Sequence, residues 1–360
     1  MPFDIECEHL GRDTRQFWRG GGAINAEFVM NKFTITYSNT ITLENLLLVW
    51  RAFLKGKKGR RDVADFEVRL MHNLTLLHHS LAMQTYQHGS YVRFGISDPK
   101  PRLIHKATVR DRVVHHLLYR VLYDYFEARF VYDSYSCRVD KGTHRALERF
   151  KDFSRAVSQN HTSTVWVLKC DIRKFFANID HVVLKDILYR HIGSPEILWL
   201  LENVIDSFST EGKSSVGLPL GNLTSQLLVN VYMNEFDQFV KHSLKIKHYI
   251  RYADDFVFLS RDRRYLLLLL PQIKTFLKDR LRLELHPDKV SIETLASGVD
   301  FLGWVHFPHH RVLRTVAKRR MFRALEEDPK EARVSSYLGM LSHGNAYGLS
   351  EMVSGMRIHS

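Results

Sequence analysis

Asp254 and Asp255 stand side by side in IRYADDFVFLS, residues 250–260, an otherwise apolar run. Their neighbours Tyr249, Ile250, Tyr252, Phe256, Val257, Phe258 and Leu259 are the residue types that build buried strands. Burying one unpaired carboxylate costs several kcal/mol, and adjacent ones repel each other. A third aspartate, Asp171, closes another apolar segment within STVWVLKCDIRKFFANIDH, residues 163–181. An Asp-Asp pair alone is ordinary turn chemistry. In a ferredoxin-like antiparallel sheet, however, the first strand and the central hairpin are neighbours, so the three carboxylates would converge at one edge. Such a cluster suits hard divalent cations, Mg2+ above all. Two ions about 3.5–4 Å apart activate an attacking hydroxyl and stabilise a leaving pyrophosphate, which is the chemistry of phosphoryl transfer.

The elements that would position these residues follow from the periodicity. Residues 1–40 read as an N-terminal extension with a flexible RGGG at 19–22, and Met30 offers an alternative start. LENLLLVWRAFL, 43–54, is an amphipathic helix, followed by the basic loop KGKKGRR at 55–61 and a second helix over 62–84. Residues 91–106 alternate around Pro99 and Pro101 as a hairpin, and 110–130 form a long helix. A strand ends at Asp171, and Asp180 N-caps a helix with Leu184, Ile187, Leu188 and Ile192 on one face. GLPLGN, 217–222, is a turn into a helix that aligns Leu228, Val231, Tyr232, Phe236 and Phe239. A strand–turn–strand over 247–260, a helix over 265–281 and strands near 289–294 and 299–306 follow, and 311–360 is basic and helical. The order predicts an α+β fold, an antiparallel sheet with helices on one face.

Composition narrows the partners. Fifty-two Lys plus Arg against 39 Asp plus Glu give a net charge of +13. That balance points to a polyanion, nucleic acid first and an anionic membrane second. Cys7, Cys137 and Cys170 are too few and too scattered for a disulfide framework or a zinc site, which fits a reducing, cytoplasmic setting. The longest apolar run, LLLLLP at 266–271, falls far short of the roughly 20 residues of a membrane span. No basic-then-apolar signal segment opens the chain.

VLKCDIRKFFANID and YADD resemble the first and third palm motifs of reverse transcriptases, and GLPLGNLTSQLLVNVYMNEFD resembles the motif between them. LHPDK at 285–289 and FLGW at 301–304 resemble the next two. KPRLIHKATVRDRVVHH and YDSYSCRVDKGTHRAL resemble the fingers motifs of bacterial reverse transcriptases. Group II intron enzymes carry a glutamine before the glycine of the central turn and Ser-Pro after it. Here Leu220-Gly221 and Ser225-Gln226 stand instead, which resembles the reverse transcriptases of diversity-generating retroelements. SYLGMLSHGNAYGL near the C-terminus is similar to their thumb. Those enzymes copy a template RNA into cDNA with errors concentrated at adenines.

The resemblance implies a right-hand polymerase: extension 1–40, fingers 41–162, palm 163–307 with embedded fingers helices, and helical thumb 308–360. It implies that Asp171, Asp254 and Asp255, with the backbone carbonyl of Ile172, hold two Mg2+ ions for which Mn2+ can substitute. Lys289 is the implied proton donor to pyrophosphate. Phe176 is the implied gate against a ribose 2′-hydroxyl, with Phe175 in the core, and Leu220 and Gln226 line the nucleotide pocket. Lys100, Arg102, Arg110 and Arg112 sit where fingers meet the triphosphate, Arg102 foremost because a guanidinium fork matches phosphate. Lys57, Lys58, Arg60 and Arg61, with Lys318, Arg319 and Arg320, are the implied contacts to the nucleic-acid backbone.

The implied partners are template RNA, the cDNA primer–template, dNTPs and a small basic accessory variability protein that forms a barrel-shaped oligomer, without a membrane. The implied setting is the cytoplasm, for a bacterial or phage-encoded protein. Two alternatives stay open: another bacterial reverse transcriptase, of antiphage-defence or intron type, and a non-catalytic RNA-binding scaffold on this fold.

Overall fold

The computed structural model describes residues 32–96, 101–328 and 330–356. Helix α1, Leu43–Leu54, begins where the Thr42 hydroxyl accepts from the Asn45 amide, and it buries Leu46, Val49, Trp50 and Phe53 at helical spacing. The single helix expected over 62–84 is two, α2 at Arg61–Val68 and α3 at Leu70–Ala82. The break at Arg69 has a local cause: the Asn73 side-chain amide donates to the Phe66 carbonyl, 3.0 Å, and competes with the helix ladder. Strands β1, Val92–Ile96, and β2, Arg102–Lys106, form the expected hairpin. Then come α4, Val109–Glu127, and α5, Thr143–Val157.

Strand β3, Trp166–Asp171, ends at the first aspartate. Asp180 caps α6, His181–His191, by accepting from the Val183 amide at 3.1 Å, as expected. Helices α7, Pro195–Asp206, and α8, Leu223–Gln238, precede β4, Tyr249–Tyr252, and β5, Asp255–Ser260. After α9, Arg263–Leu281, come β6, Ser291–Thr294, β7, Val299–Phe301, β8, Trp304–His306, and β9, Arg311–Leu313. Helices α10, Thr315–Glu327, α11, Glu331–Leu341, and α12, Tyr347–Gly355, close the described chain.

The chain folds into two compact units, each made of three stretches. One comprises Met1–Gly142, Ile172–Ile246 and Ile273–Leu285; the other comprises Thr143–Asp171, Lys247–Gln272 and His286–Ser360. These units cut the chain differently from the boundaries expected at 162–163 and 307–308. In the first, α4 and α8 are buried on most faces and pack together, with α1 against α4. The end of the expected extension joins this unit: Phe33 bridges to Ile192, and the Tyr37 hydroxyl donates to the Leu81 carbonyl at 2.9 Å.

In the second unit, β4-β5-β3-β6 form an antiparallel sheet, the α+β arrangement expected. The strand expected over 299–306 is instead the hairpin β7–β8, because Leu302 and Gly303 both take positive φ and turn the chain. β9 adds to that hairpin, so the expected boundary at 307–308 runs through a three-stranded sheet. Trp304 and Leu313 of this sheet pack with Met321, Leu325, Val334, Leu341 and Val353 of the terminal helices.

Two buried histidines of the first unit make folding acid-sensitive. Burial pushes His115 and His116 down to about 3, neighbouring cations adding to the effect. The unfolded chain protonates each near pH 6.5 and the folded chain only near 3, so their contribution is whole above pH 6.5 and falls as pH drops. At pH 5 the loss is about 2 kcal/mol per histidine. His116 meets the Phe53 ring edge-on at 5.3 Å, so His116→Phe keeps an aromatic there without the titration. Between pH 7.5 and 5, wild type should lose about 2 kcal/mol more than His116→Phe, read from urea midpoints; equal losses would contradict it.

Candidate active site

The strand register places Asp171 directly opposite Asp255 at the edge of the four-stranded sheet. Asp254 lies in the β4–β5 turn one residue away. Like charges directly opposite in a sheet are destabilising, and Asp254 feels both carboxylates. Burial, then Asp255, then Asp171 push its carboxyl up to about 7. The three aspartates singled out by sequence therefore do converge, within one unit.

A cation offsets them at Asp171. The Lys289 ammonium lies 2.9 Å from both carboxylate oxygens of Asp171. Lys289 ends a short turn, Pro287–Lys289, which is fixed to β3 by the His286 amide donating to the Asp171 carbonyl at 2.8 Å. Arg251, in β4, has no exposed surface, and its guanidinium donates to the Ala253 carbonyl at 3.2 Å. Ala253 takes φ +54°, a left-handed conformation costing a non-glycine residue about 1 kcal/mol. Arg251 thus braces a strained turn from beneath. Sequence reasoning passed over it, although an arginine at an inward position of an apolar strand was a readable signal.

The donor chemistry of Asp171, Asp254 and Asp255, hard carboxylate oxygens crowded enough to raise one pKa, fits a divalent cation. Among the described residues no three His, Cys, Asp or Glu side chains already close around one point as a metal cage. At Asp171 the ammonium of Lys289 holds both oxygens.

The other expected residues fall mainly in the first unit. Ile172 forms an isolated antiparallel bridge with Leu285, flanked by bonds from the Arg173 amide to the Glu284 carbonyl and from the His286 amide to the Asp171 carbonyl. In that pattern the N–H and C=O of Ile172 point away from the 284–286 segment. Phe175 is buried, as expected, and Phe176 is half-buried; both lie on a 3-10 turn, Phe175–Asn178. The Leu220 carbonyl accepts from the His105 amide at 3.0 Å, and Asn222 donates to the His105 carbonyl at 2.9 Å, so β2 is fastened to the 220–222 turn. Gly221 takes φ +100°, and a Cβ there would stand 2.8 Å from Ile104. Gln226 is buried in the first turn of α8, and Arg102 opens β2.

Arg112 departs from expectation. It is buried, paired with Asp62 and set over the Phe53 ring at 5.1 Å, so it is a structural group rather than a triphosphate contact. Arg110 is tied to the Gln87 carbonyl and Asp111. Lys100 lies outside the described residues. Lys57 leans over Phe53 at 5.0 Å, while Lys58, Arg60, Arg61, Lys318 and Arg319 are exposed and Arg320 is half-buried.

Residues 97–306 match the family described as reverse transcriptase (RNA-dependent DNA polymerase). The chain belongs to this family. It is therefore an RNA-directed DNA polymerase by family, a nucleotidyltransferase. Protein YkfC of Escherichia coli (strain K12) is 25% identical over 303 residues, covering 74% of this chain and 77% of YkfC. The group II intron-encoded protein LtrA of Lactococcus lactis subsp. cremoris is 22% identical over 271 residues, 57% of this chain and 44% of LtrA. Apo telomerase from Candida tropicalis, truncated from its C-terminal domain, is 11% identical with a TM-score of 0.49, covering 64% of this chain and 55% of that one. The chain thus spans most of YkfC and about half of the other two. Among the described residues no helix is long and apolar enough to cross a membrane.

For a polymerase, the brace under the aspartate turn has a measurable consequence. Arg251→Met keeps a long side chain but removes the donor to Ala253. DNA synthesis should fall roughly tenfold to a hundredfold, the range expected when reacting groups shift by about an ångström. Arg251→Lys should recover it only in part, lacking the planar fork. Primer-extension rates beside melting temperatures check this; a folded Arg251→Met with the wild-type rate would contradict it.

Proposed function

We propose that this enzyme is the error-prone reverse transcriptase of a diversity-generating retroelement, copying a template RNA into adenine-mutagenised cDNA in the cytoplasm. The observation that carries the reading is Leu220, an aliphatic side chain half-buried in a turn that is bonded to β2 of the hairpin. Ser225-Gln226, five and six residues further on in the buried start of α8, supports it. In this reading Asp171, Asp254 and Asp255 hold two Mg2+ ions, with the Ile172 carbonyl as a further ligand. When bound, such ions activate the primer hydroxyl and neutralise charge on the leaving pyrophosphate. Lys289, 2.9 Å from Asp171, is the proton donor to pyrophosphate. Arg102 contacts the triphosphate, Phe176 excludes the ribose 2′-hydroxyl, and Leu220 and Gln226 line the nucleotide pocket. A small basic accessory protein completes the assembly.

Leucine at 220 offers the nucleotide neither donor nor acceptor. A pocket that holds a base by shape alone tolerates a misplaced one; a fixed hydrogen bond raises selectivity by about tenfold to a hundredfold. Leu220→Gln should therefore lower the error rate; that the fall is largest opposite template adenine follows from the resemblance to retroelement enzymes and not from this residue. Sequencing cDNA made by both enzymes on one RNA template decides it. An unchanged adenine error rate in an active variant would remove Leu220 from fidelity. The second reading, an intron-type reverse transcriptase, draws on the similarity to LtrA. Absence of adenine bias in wild type, supplied with its own RNA and accessory protein, would favour it.

A further inference from the structure

We propose that His115 is a positioning residue for nucleotide selection, acting through the Thr224 hydroxyl on the first turn of α8. The inference rests on the reading that Gln226 lines the nucleotide pocket. All the residues concerned lie in the first unit.

Helix α8 starts without a side-chain cap of its own. Its N-cap residue, Asn222, makes no capping bond and spends its amide on the His105 carbonyl. An uncapped start leaves the first turn poorly anchored. Thr224, in that turn and two residues before Gln226, is held from outside instead: its hydroxyl lies 2.5 Å from His115 Nδ1, on the fully buried face of α4.

The direction of the chain behind it follows from one carbonyl. His88 Nδ1 lies 2.6 Å from the Gly89 carbonyl, which can only accept, so Nδ1 carries the proton and Nε2 is the acceptor. His115 Nε2, 3.1 Å from His88 Nε2, must then donate. That leaves His115 Nδ1 as an acceptor, and the Thr224 hydroxyl donates to it. Burial keeps both rings neutral. The far end is fixed by Asp111, which accepts from the Gly89 amide at 3.1 Å, the Tyr86 hydroxyl at 2.8 Å and the Thr108 hydroxyl at 2.6 Å. The Tyr91 hydroxyl also reaches His88 Nε2, at 3.3 Å, and the line runs from the start of α4 to the start of α8. A bare structural network would stabilise the fold wherever it ended; this one ends on the turn that bears Ser225 and Gln226.

The test is a graded series at Thr224, with Gln226→Ala as control. Thr224→Val keeps the shape and removes the donor, Thr224→Cys keeps a weak donor, and Thr224→Ser keeps a full one. KM for dNTP, kcat, error rate, RNA affinity and melting temperature are measured for each. KM should rise from Ser to Cys to Val, reaching about fivefold to tenfold in Val. The error rate should move with it, while kcat and RNA affinity stay within about twofold. If Thr224→Val fails to fold, the Ser-to-Cys step carries the same test. A lower melting temperature with unchanged KM and error rate across the series would overturn the proposal. If Gln226→Ala moves KM and the Thr224 series does not, the positioning claim alone fails. If neither moves it, the pocket reading falls and the proposal with it.

Discussion

Asp254→Asn should abolish nucleotide addition, by about 10³-fold or more, while RNA binding and folding persist. In the proposed reading the carboxylate holds a divalent cation that would neutralise charge on the transferring phosphate, and losing it would forfeit several kcal/mol of transition-state stabilisation. Asp171→Asn should behave alike, since it stands opposite Asp255 in the same cluster. Stability should respond in the opposite sense. Burial and two neighbouring aspartates raise the Asp254 pKa to about 7, so its carboxyl opposes folding increasingly between about pH 4 and 7 and by a constant amount above that. Without divalent cations, Asp254→Asn should therefore melt higher than wild type at pH 7, with the gap closing as pH falls towards 4 and staying level above 7. Loss of activity with gain of stability is the mark of a site strained for function. A variant that extends primers near the wild-type rate in Mg2+ would remove Asp254 from the chemistry.

RNA binding should weaken steeply with salt. The chain carries a net charge of +13, and Lys58, Arg60, Arg61, Lys318 and Arg319 are exposed on two segments. Each phosphate neutralised by a cation releases counterions, at about 0.7 to 0.9 per contact on a log–log plot. Five such contacts give a slope of about −3.5 to −4.5. Affinity should drop roughly a hundredfold to several hundredfold between 50 and 200 mM salt. Lys318→Ala with Arg319→Ala should flatten the slope by about two contacts' worth. A flat dependence in wild type would assign the basic surface another role.

What the sequence disclosed and what it hid divide along physical lines. Asp171, Asp254 and Asp255 were readable because a carboxylate in an apolar strand needs a reason. The Asp180 cap and the 91–106 hairpin were readable because their signals are local. Local chemistry also explains two misses. The Asn73 bond that breaks the second helix, and the Leu302-Gly303 turn that splits 299–306, each override a plausible periodicity. The rest is tertiary. The partner of Arg112 lies 50 residues away, and that of His115 lies 109 residues away. No window of sequence pairs a histidine with a threonine at that range. Arg251 is the exception, since its single charge within YIRY was visible and only the carbonyl it braces was not.

The most direct test of the account is extension of a DNA primer annealed to an RNA template, with dNTPs and Mg2+, by wild type and Asp254→Asn side by side. Wild type should give full-length cDNA, none after chelation of the metal, and the variant none although it binds the same RNA. An RNA-binding wild type that adds no nucleotide in Mg2+ or Mn2+, or a variant that adds them as fast, would contradict it.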